Sequence, residues 1–264
     1  MAHRRGLPQH PHPGVLRAVR VVHPECAQGV LPGQRQLSVL DRAALVGDAP
    51  AAARALLGAR LVRDDASGLR VGRIVEVEAY DGPDDRASHA RFGSTDRNRV
   101  MFGPPGIAYV YLVYGMYDCL NVVVGADGRP SAVLIRAIEP LTGVEPMRRD
   151  LLAVSRRRRA GRSAAGAART VTRLARVADE RLAAGPGLAA AAFGIDTRWT
   201  GTDLCRPGAP LRLERDPADP ADRPAPDAIV ATPRIGVAYA GEWAAVPWRF
   251  AVAGHRSVSG RSTR

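Results

Sequence analysis

Apolar and polar residues alternate along much of the middle of the chain, and this pattern predicts β-strands joined by short turns. The longest such run, Arg70–Tyr80, is rich in β-branched residues and follows a turn at Asp65–Gly68. Two polar, turn-rich segments, Gly82–Pro105 and Pro207–Pro226, are predicted to be loops. Strands are predicted at Arg60–Arg63, Arg70–Tyr80, Tyr109–Val113, Cys119–Val124, Ala132–Ile138, Arg234–Tyr239 and Trp248–Ala253.

Helical patterns are fewer. The alanine-rich stretch Pro50–Leu57 ends at Gly58, which is typical of a short helix with a glycine stop. Further helices are predicted after Pro140 and over Gly185–Ile195. Because the strands are joined by hairpins and loops rather than by regular strand–helix–strand units, we expect an α+β fold. We expect a single domain with a curved, largely antiparallel sheet, flanking helices and a protruding β-hairpin.

Two segments lie outside this pattern. Residues 1–37 are rich in Pro, His, Arg and Gly without periodicity, which predicts a disordered extension before a domain at 38–260. An arginine-rich insertion near 152–177 contains no acidic residue; we expect helical flanks and a disordered middle near Arg159–Ala167. The pattern leaves open whether this insertion is a solvated loop or contacts a DNA backbone.

The charge of the chain points to a polyanionic partner. The formal net charge is +12, and all 38 basic residues are arginine. Codon bias explains the choice of arginine over lysine but not the positive excess, which favours nucleic acid. No apolar run is long enough to span a membrane, and arginines interrupt the only apolar stretch near the N-terminus. The three cysteines have no metal-ligand spacing, so we expect no metal and a cytoplasmic, reducing location.

Candidate chemistry lies at the end of the longest predicted strand. Strand side chains alternate between faces, so Glu76, Glu78 and Tyr80 are expected on one face, opposite an apolar face of Val75, Val77 and Ala79. Spacing alone is more typical of an exposed polar face than of a catalytic site. Five of the six tyrosines lie between positions 80 and 117. A hairpin tip with Tyr114 and Met116 would make a wedge for a DNA groove, whereas an aromatic-rich core is the plainer alternative.

Several longer runs occur in a consistent order: Arg73–Tyr80, Arg97–Asn98, Met101–Gly106, Tyr109–Tyr117 with Asn121, Leu134–Pro140 and Arg234–Trp243. Together they resemble the alkyladenine (3-methyladenine) DNA glycosylase family, over about Ala52 to Ser259. The family pattern is not followed everywhere. Thr95-Asp96-Arg97-Asn98 replaces the usual Thr-Pro-Arg-Asn, and Leu188-Ala189 replaces a Lys-Leu pair after Gly185–Gly187. These departures put local DNA contacts and the packing of one helix in question.

The resemblance implies a role for each matching residue. Glu78 is the general base for the attacking water, and Arg136 helps to hold the carboxylate and the water. The flipped base lies between aromatic walls, Tyr114 fills the gap it leaves, and Asn121 excludes normal guanine. The walls are Tyr80, His89 and Tyr111, and the backbone that reads the base edge is that of Ala87 and His89.

The implied function is base-excision repair of double-stranded DNA containing alkylated or deaminated purines. Base release builds positive charge on the sugar, which a nearby carboxylate stabilises while it takes a proton from water. The sequence contains no lysine that could form a Schiff base, so we expect a monofunctional enzyme. We also expect it to need no cofactor, to be a monomer and to lie near the nucleoid. A non-enzymatic basic nucleic-acid-binding protein explains the charge and the tyrosines but not Glu78. A carbohydrate hydrolase would need a second catalytic carboxylate.

Overall fold

One curved antiparallel sheet organises the part of the chain that the structure describes. The structure is a computed structural model that describes residues 37–159 and 164–260, so the predicted extension before Leu37 and the centre of the arginine-rich insertion lie outside it. The curved α+β architecture predicted from the sequence is confirmed. The strands are β1 (Ser38–Val39), β2 (Arg60–Arg63), β3 (Arg70–Asp81), β4 (Ala108–Val113), β5 (Tyr117–Val124), β6 (Ser131–Thr142), β7 (Leu211–Arg215), β8 (Ile229–Thr232) and β9 (Arg249–Val252).

The strand β3 lies at the centre of the sheet. The order across the sheet is β1-β7-β2-β3-β6-β5-β4, and every strand pair is antiparallel. One edge of β3 pairs with β6, while its other edge pairs first with β2 and then, at Glu76–Glu78, with β9. The partner β8 extends this branch beyond β9. The sheet therefore forks at the segment that carries the candidate catalytic residue.

Helices cover one face of the sheet. They are α1 (Ala49–Leu56), α2 (Val144–Arg159), α3 (Ala164–Ala175) and α4 (Pro186–Ala192), with several 3₁₀ turns in the loops. Asp48 caps α1 by accepting a hydrogen bond from the Ala51 N–H. Gly58 follows the helix with φ +80°, and a Cβ there would lie 2.5 Å from the Asp222 backbone. The predicted glycine stop is thus confirmed, and its cause is both the turn and the close approach.

Alternate residues of the strands separate the core from a second face. Val77 and Ala79 of β3 and Val133 and Ile135 of β6 join the large apolar core beneath α1 and α4. Val75 does not, because register shifts on either side of Glu76 interrupt the alternation. It packs instead in a small cluster with Ala137, Ala251 and Val258. The predicted shared face of Val75, Val77 and Ala79 is therefore wrong at Val75.

Two predicted elements near the C-terminus are also wrong. The predicted loop Pro207–Pro226 contains β7, whose leucines alternate with charged residues and which lies between β1 and β2. The prolines and aspartates at both ends concealed this short strand. The predicted strand Arg234–Tyr239 is a loop that leads into a 3₁₀ helix at Ala238–Ala244, and the strand lies earlier, at β8.

Two other boundaries differ from the sequence prediction. The strand predicted at Ala132–Ile138 continues past Pro140 to Thr142, where Pro140 lies opposite Gly72. The predicted disorder near Arg159–Ala167 is wrong for its described end, because residues 164–167 belong to α3.

Candidate active site

The polar face of the sheet forms the floor of a cavity of about 670 Å³. Along most of β3, β4, β5 and β6 its strand residues occupy every second position, so the alternation that fills the core on one face lines the cavity on the other. Loops after β3 and β8 and the start of α4 supply the walls. The strand residues lining the cavity are Glu78, Tyr80, Tyr109, Tyr111, Leu112, Val113, Tyr117, Cys119, Asn121, Ala132, Leu134 and Arg136.

Strand register places the predicted residues in rows across the floor. Glu78 lies opposite Leu134, Leu134 lies opposite Asn121 on its other side, and Asn121 lies opposite Tyr109. Glu78 and Asn121 are therefore separated by two strand spacings, roughly 10 Å. Such a span accommodates a purine ring between them.

Three donors from different elements hold the Glu78 carboxylate, which is fully buried. The backbone N–H of Ile235 donates to Oε1 at 2.7 Å, and the Tyr80 hydroxyl donates to Oε2 at 2.9 Å. Nη1 of Arg136 lies 3.3 Å from Oε2. Because these contacts come from separate elements, the tertiary structure fixes the direction in which the carboxylate faces.

The second carboxylate of the pattern has a different environment. Glu76 is also fully buried, but it does not line the cavity. It accepts hydrogen bonds from Arg136 at 3.0 Å, Arg249 at 2.7 Å and the backbone N–H of Ser259 at 2.6 Å. Glu76 and Glu78 thus share Arg136. We infer that Glu76 anchors this guanidinium rather than taking part in chemistry.

Aromatic side chains form one side of the cavity. The His89 and Tyr111 rings have centroids 4.5 Å apart, and Tyr109 and Tyr111 are 5.4 Å apart. Burial raises the pKa of Tyr109 to about 12, and the pKa values of Tyr80 and Tyr111 are also raised, chiefly by burial. These tyrosines therefore remain neutral phenols at physiological pH.

His89 is also neutral at physiological pH. Desolvation, followed by the charges of Arg97 and Arg91, lowers the pKa of His89 to about 4. Its Nδ1 lies 3.0 Å from the Tyr109 hydroxyl. The ring therefore adds no positive charge to the cavity wall.

The loop after β3 is held in place by its own side chains. Asn98 donates hydrogen bonds from Nδ2 to the carbonyl oxygens of His89 at 3.0 Å and Gly93 at 2.9 Å. The buried Asp85 accepts the Ala87 N–H at 2.9 Å. Ala87 and His89, the residues expected to read the base edge, both line the cavity.

The protruding hairpin carries one exposed tyrosine at its tip. Tyr114 is 86% exposed, lines the mouth of the cavity and has φ +50°. A left-handed conformation is costly for a bulky residue and often marks a functional site. Met116, by contrast, is half-buried and lines a second, smaller cavity with Leu151 and Val154 of α2. The structure therefore brings Tyr114 to the site but not Met116.

The arginine-rich insertion supports the same hairpin. Arg158 of α2 forms an ion pair of 2.8 Å with the buried Asp118 of β5. Arg156 and Arg157 are exposed. The described part of the insertion thus has a structural contact, and DNA contact by its exposed arginines stays a prediction.

The two departures from the family pattern lie at the surface and at the cavity wall. The Asp96 side chain is fully exposed and lies 3.9 Å from Arg99. Leu188 lines the cavity and packs against the core, and Ala189 is buried. Gly187 lies directly against the Tyr117 ring, where a Cβ would be 2.7 Å from Cδ1. The departure from the family pattern at Asp96 therefore lies outside the cavity, whereas the departure at Leu188 changes a residue of the cavity wall.

Sequence reasoning missed several residues of the site. Ile235 and Val237 line the cavity from the loop after β8, and Tyr239 lines it from the 3₁₀ helix that follows; the sequence predicts a strand over these residues. The signal was the glycine in Ile235-Gly236-Val237, which has φ +79° and interrupts any strand. Arg234 and Asp85 were missed because nothing in either segment indicates that they meet.

Comparison with known proteins shows the family to which the chain is similar. A model of the family described as methylpurine-DNA glycosylase matches residues 43–256. The chain is 44% identical over 222 residues to a putative 3-methyladenine DNA glycosylase of Anaeromyxobacter dehalogenans (strain 2CP-C), covering 83% of this chain and 86% of the relative.

Other similar relatives come from an archaeon and a mammal. The chain is 48% identical over 198 residues to a putative 3-methyladenine DNA glycosylase of Methanocella arvoryzae, covering 75% of this chain and 84% of the relative. It is 43% identical over 209 residues to the DNA-3-methyladenine glycosylase of Homo sapiens, covering 78% of this chain and 63% of the relative.

Proposed function

Because the chain belongs to the methylpurine-DNA glycosylase family, we propose that the Glu78 cavity is where it releases damaged purines. The protein is a DNA N-glycosylase of base-excision repair. The observation that carries the proposed site is the buried Glu78 carboxylate, held by three donors at the floor of an aromatic cavity. None of the described helices is long and apolar enough to cross a membrane.

Glu78 supplies the general base. Cleavage of the N-glycosidic bond builds positive charge on the deoxyribose, and a fixed carboxylate stabilises that charge without reorganising. The same carboxylate accepts a proton from water as the water attacks the sugar. Arg136, anchored by Glu76, keeps the carboxylate oriented and balances its charge.

The aromatic walls hold the flipped base. Tyr80, Tyr111 and His89 offer ring surfaces, and an aromatic face attracts a cationic alkylpurine by about 0.5–2 kcal/mol. Asn121 donates its amide hydrogens to the carbonyl oxygens of Tyr109 at 3.0 Å and Cys119 at 3.2 Å. These two hydrogen bonds fix the amide in place, so that Asn121 excludes guanine by crowding its exocyclic amino group.

The substrate is double-stranded DNA, bound by a monomer at the nucleoid. The target atom lies inside the duplex, so the nucleotide has to leave the base stack to reach Glu78. Tyr114 stands at the cavity mouth and fills the gap that the flipped nucleotide leaves. Damaged pairs are easier to open, which adds to the selectivity.

Base release from defined duplexes tests this function. Matched oligonucleotides carrying 3-methyladenine, 7-methylguanine, hypoxanthine, ethenoadenine or normal purines are incubated with the protein, and the released base is measured chromatographically. We expect release from at least one damaged duplex and none from the normal one. A protein that binds every duplex but releases no base would contradict the proposal and favour a non-enzymatic role.

A further inference from the structure

A buried ion pair joins two loops that pack against each other and line the cavity. Asp85 lies in the loop after β3 and Arg234 in the loop after β8, 149 residues apart in sequence. The guanidinium donates to both carboxylate oxygens, at 2.6 Å and 2.9 Å, and both side chains are 0% exposed. A two-point contact of this kind fixes the relative orientation of its partners as well as their distance.

Arg234 is held from several further directions. It also donates to the carbonyl oxygens of Ala79 at 2.9 Å and Trp243 at 3.2 Å. Its guanidinium carbon lies 4.8 Å from the Tyr80 ring centroid and 5.2 Å from that of Trp248. Arg234 thus contacts the β3 backbone, the following 3₁₀ helix and one aromatic wall of the site.

Stability alone is a weak reason for such a pair. The cost of desolvating two charges often cancels their attraction, and apolar residues of similar size commonly stabilise a core as well. What the pair does achieve is alignment of polar groups next to it. The residue after Arg234 is Ile235, whose N–H bonds Glu78, and Asp85 also accepts the N–H of Ala87.

We propose that Asp85 and Arg234 are positioning residues that hold the Ile235 N–H on the Glu78 carboxylate and the Ala87 backbone against the bound base. This inference rests on the proposed function of the cavity. Neither residue reaches the cavity lining, so both act through the loops that they join. Breaking the two-point contact between Asp85 and Arg234 therefore slows base release more than it weakens DNA binding.

The test compares Arg234→Lys and Asp85→Asn with the wild-type protein. Arg234→Lys keeps the charge but loses the two-point contact. We expect both variants to lower the single-turnover rate of base release by at least tenfold, with enzyme in excess. Affinity for a duplex with a non-cleavable abasic analogue should stay within about threefold of wild type. The double variant should be no slower than the slower single variant, because either change alone breaks the contact.

Arg70→Lys is the matched control. Arg70 is also fully buried and pairs with an aspartate, Asp150, but it lies outside the cavity. We expect its melting temperature to fall as much as that of Arg234→Lys while its rate of base release stays within twofold of wild type. Equal rate losses in Arg70→Lys and Arg234→Lys, or no rate loss in Arg234→Lys or Asp85→Asn, would overturn the positioning role. Failure of the wild-type protein to release any base would instead overturn the proposed function.

Discussion

At the residue scale, the site depends on three contacts to the Glu78 carboxylate, which come from different parts of the chain. Glu78 and Tyr80 are neighbours on one face of β3, so local strand geometry brings the hydroxyl to the carboxylate. Arg136 arrives from β6 and the Ile235 N–H from a loop 157 residues away. All three contacts act on the two carboxylate oxygens, so together they hold the side chain in one orientation.

Replacing Glu78 with Gln tests the general base. The amide is nearly isosteric but cannot take a proton from water, so we expect base release to fall at least 10³-fold, about 4 kcal/mol of barrier. Binding to lesion DNA should stay within about threefold, because the carboxylate serves the transition state. Single-turnover release and equilibrium binding measure the two quantities. A rate within tenfold of wild type would remove Glu78 from the catalytic role.

His89 should titrate well below the usual range for histidine. Its pKa in the folded protein is about 4, whereas the ordinary value is 6.5. Between these values the unfolded chain binds more protons, so the stability that His89 contributes is complete above pH 6.5 and is lost as the pH falls towards 4.

An NMR titration of the imidazole protons measures this pKa, and His89→Gln assigns the signal. We also expect the variant to lose less stability than wild type between pH 7.5 and pH 5 in denaturant unfolding. A midpoint near pH 6.5 would show that desolvation and the neighbouring arginines do not act on His89 as described.

At the element scale, the hairpin β4–β5 combines a cavity wall with an exposed tip. Its inner residues, Tyr109, Tyr111 and Asn121, line the site, while Tyr114 projects from the turn. The tip is supported from behind, because Met116 faces α2 and Asp118 pairs with Arg158. A supported tip can press into a base stack without folding back.

Removing the ring of Tyr114 should weaken binding only where the stack is open. We expect Tyr114→Asn to reduce affinity for a duplex with an abasic analogue by about 1–3 kcal/mol, the size of one stacking contact. Asn tolerates the positive φ, so the turn is preserved. Fluorescence anisotropy on abasic and undamaged duplexes measures the difference.

Met116→Ala is the control from the same turn. It should leave the ratio of the two affinities unchanged, because Met116 does not line the cavity mouth. Equal losses on both duplexes for Tyr114→Asn would indicate a phosphate contact or a disturbed turn.

At the scale of the whole molecule, the arginines divide into two groups. Many are committed to ion pairs within the fold, among them Arg60, Arg73 and Arg249. Others, such as Arg156 and Arg157 at the end of α2, are exposed and near the hairpin. We expect the exposed arginines to contact DNA phosphates and so to release counterions from DNA on binding.

Salt dependence distinguishes these groups. We expect the double variant Arg156→Ser/Arg157→Ser to reduce the slope of log affinity against log salt by roughly 1–2, since each phosphate contact contributes about 0.9. Arg149→Ser, an exposed arginine paired with Asp150 beside the Ser67 turn, is the control and should leave the slope unchanged. An unchanged slope in the double variant would identify this part of the insertion as a solvated surface.

The absence of lysine from the sequence predicts which DNA product the enzyme leaves. Strand-cleaving glycosylases form a Schiff base through an amine, and no side-chain amine exists in this sequence. We expect an intact abasic site, with no covalent protein–DNA adduct when borohydride is present and no strand break before alkali treatment. A trapped adduct on a denaturing gel would contradict a water nucleophile.

The sequence by itself determined the strands that build the cavity floor and the residues they present. Alternation in β3, β4, β5 and β6 decides which side chains face the core and which face the cavity, because the side-chain period of a strand is two. The runs in these strands, with others at Arg97–Asn98, Met101–Gly106 and Arg234–Trp243, carry the resemblance to the family that the comparison shows. The hairpin tip was predictable too, since Tyr114-Gly115 follows a strand and needs a turn.

Only the tertiary structure decided what surrounds these side chains. The Ile235 amide, the Asp85–Arg234 pair and the anchoring of Arg136 by Glu76 join segments far apart in sequence, and no local pattern encodes such a meeting. The interruption at Val75 and the short strand β7 likewise depend on what pairs alongside. The conformational preference of a short segment contributes less free energy than the hydrogen bonds and burial supplied by distant neighbours. Those neighbours therefore determine the conformation that the segment adopts.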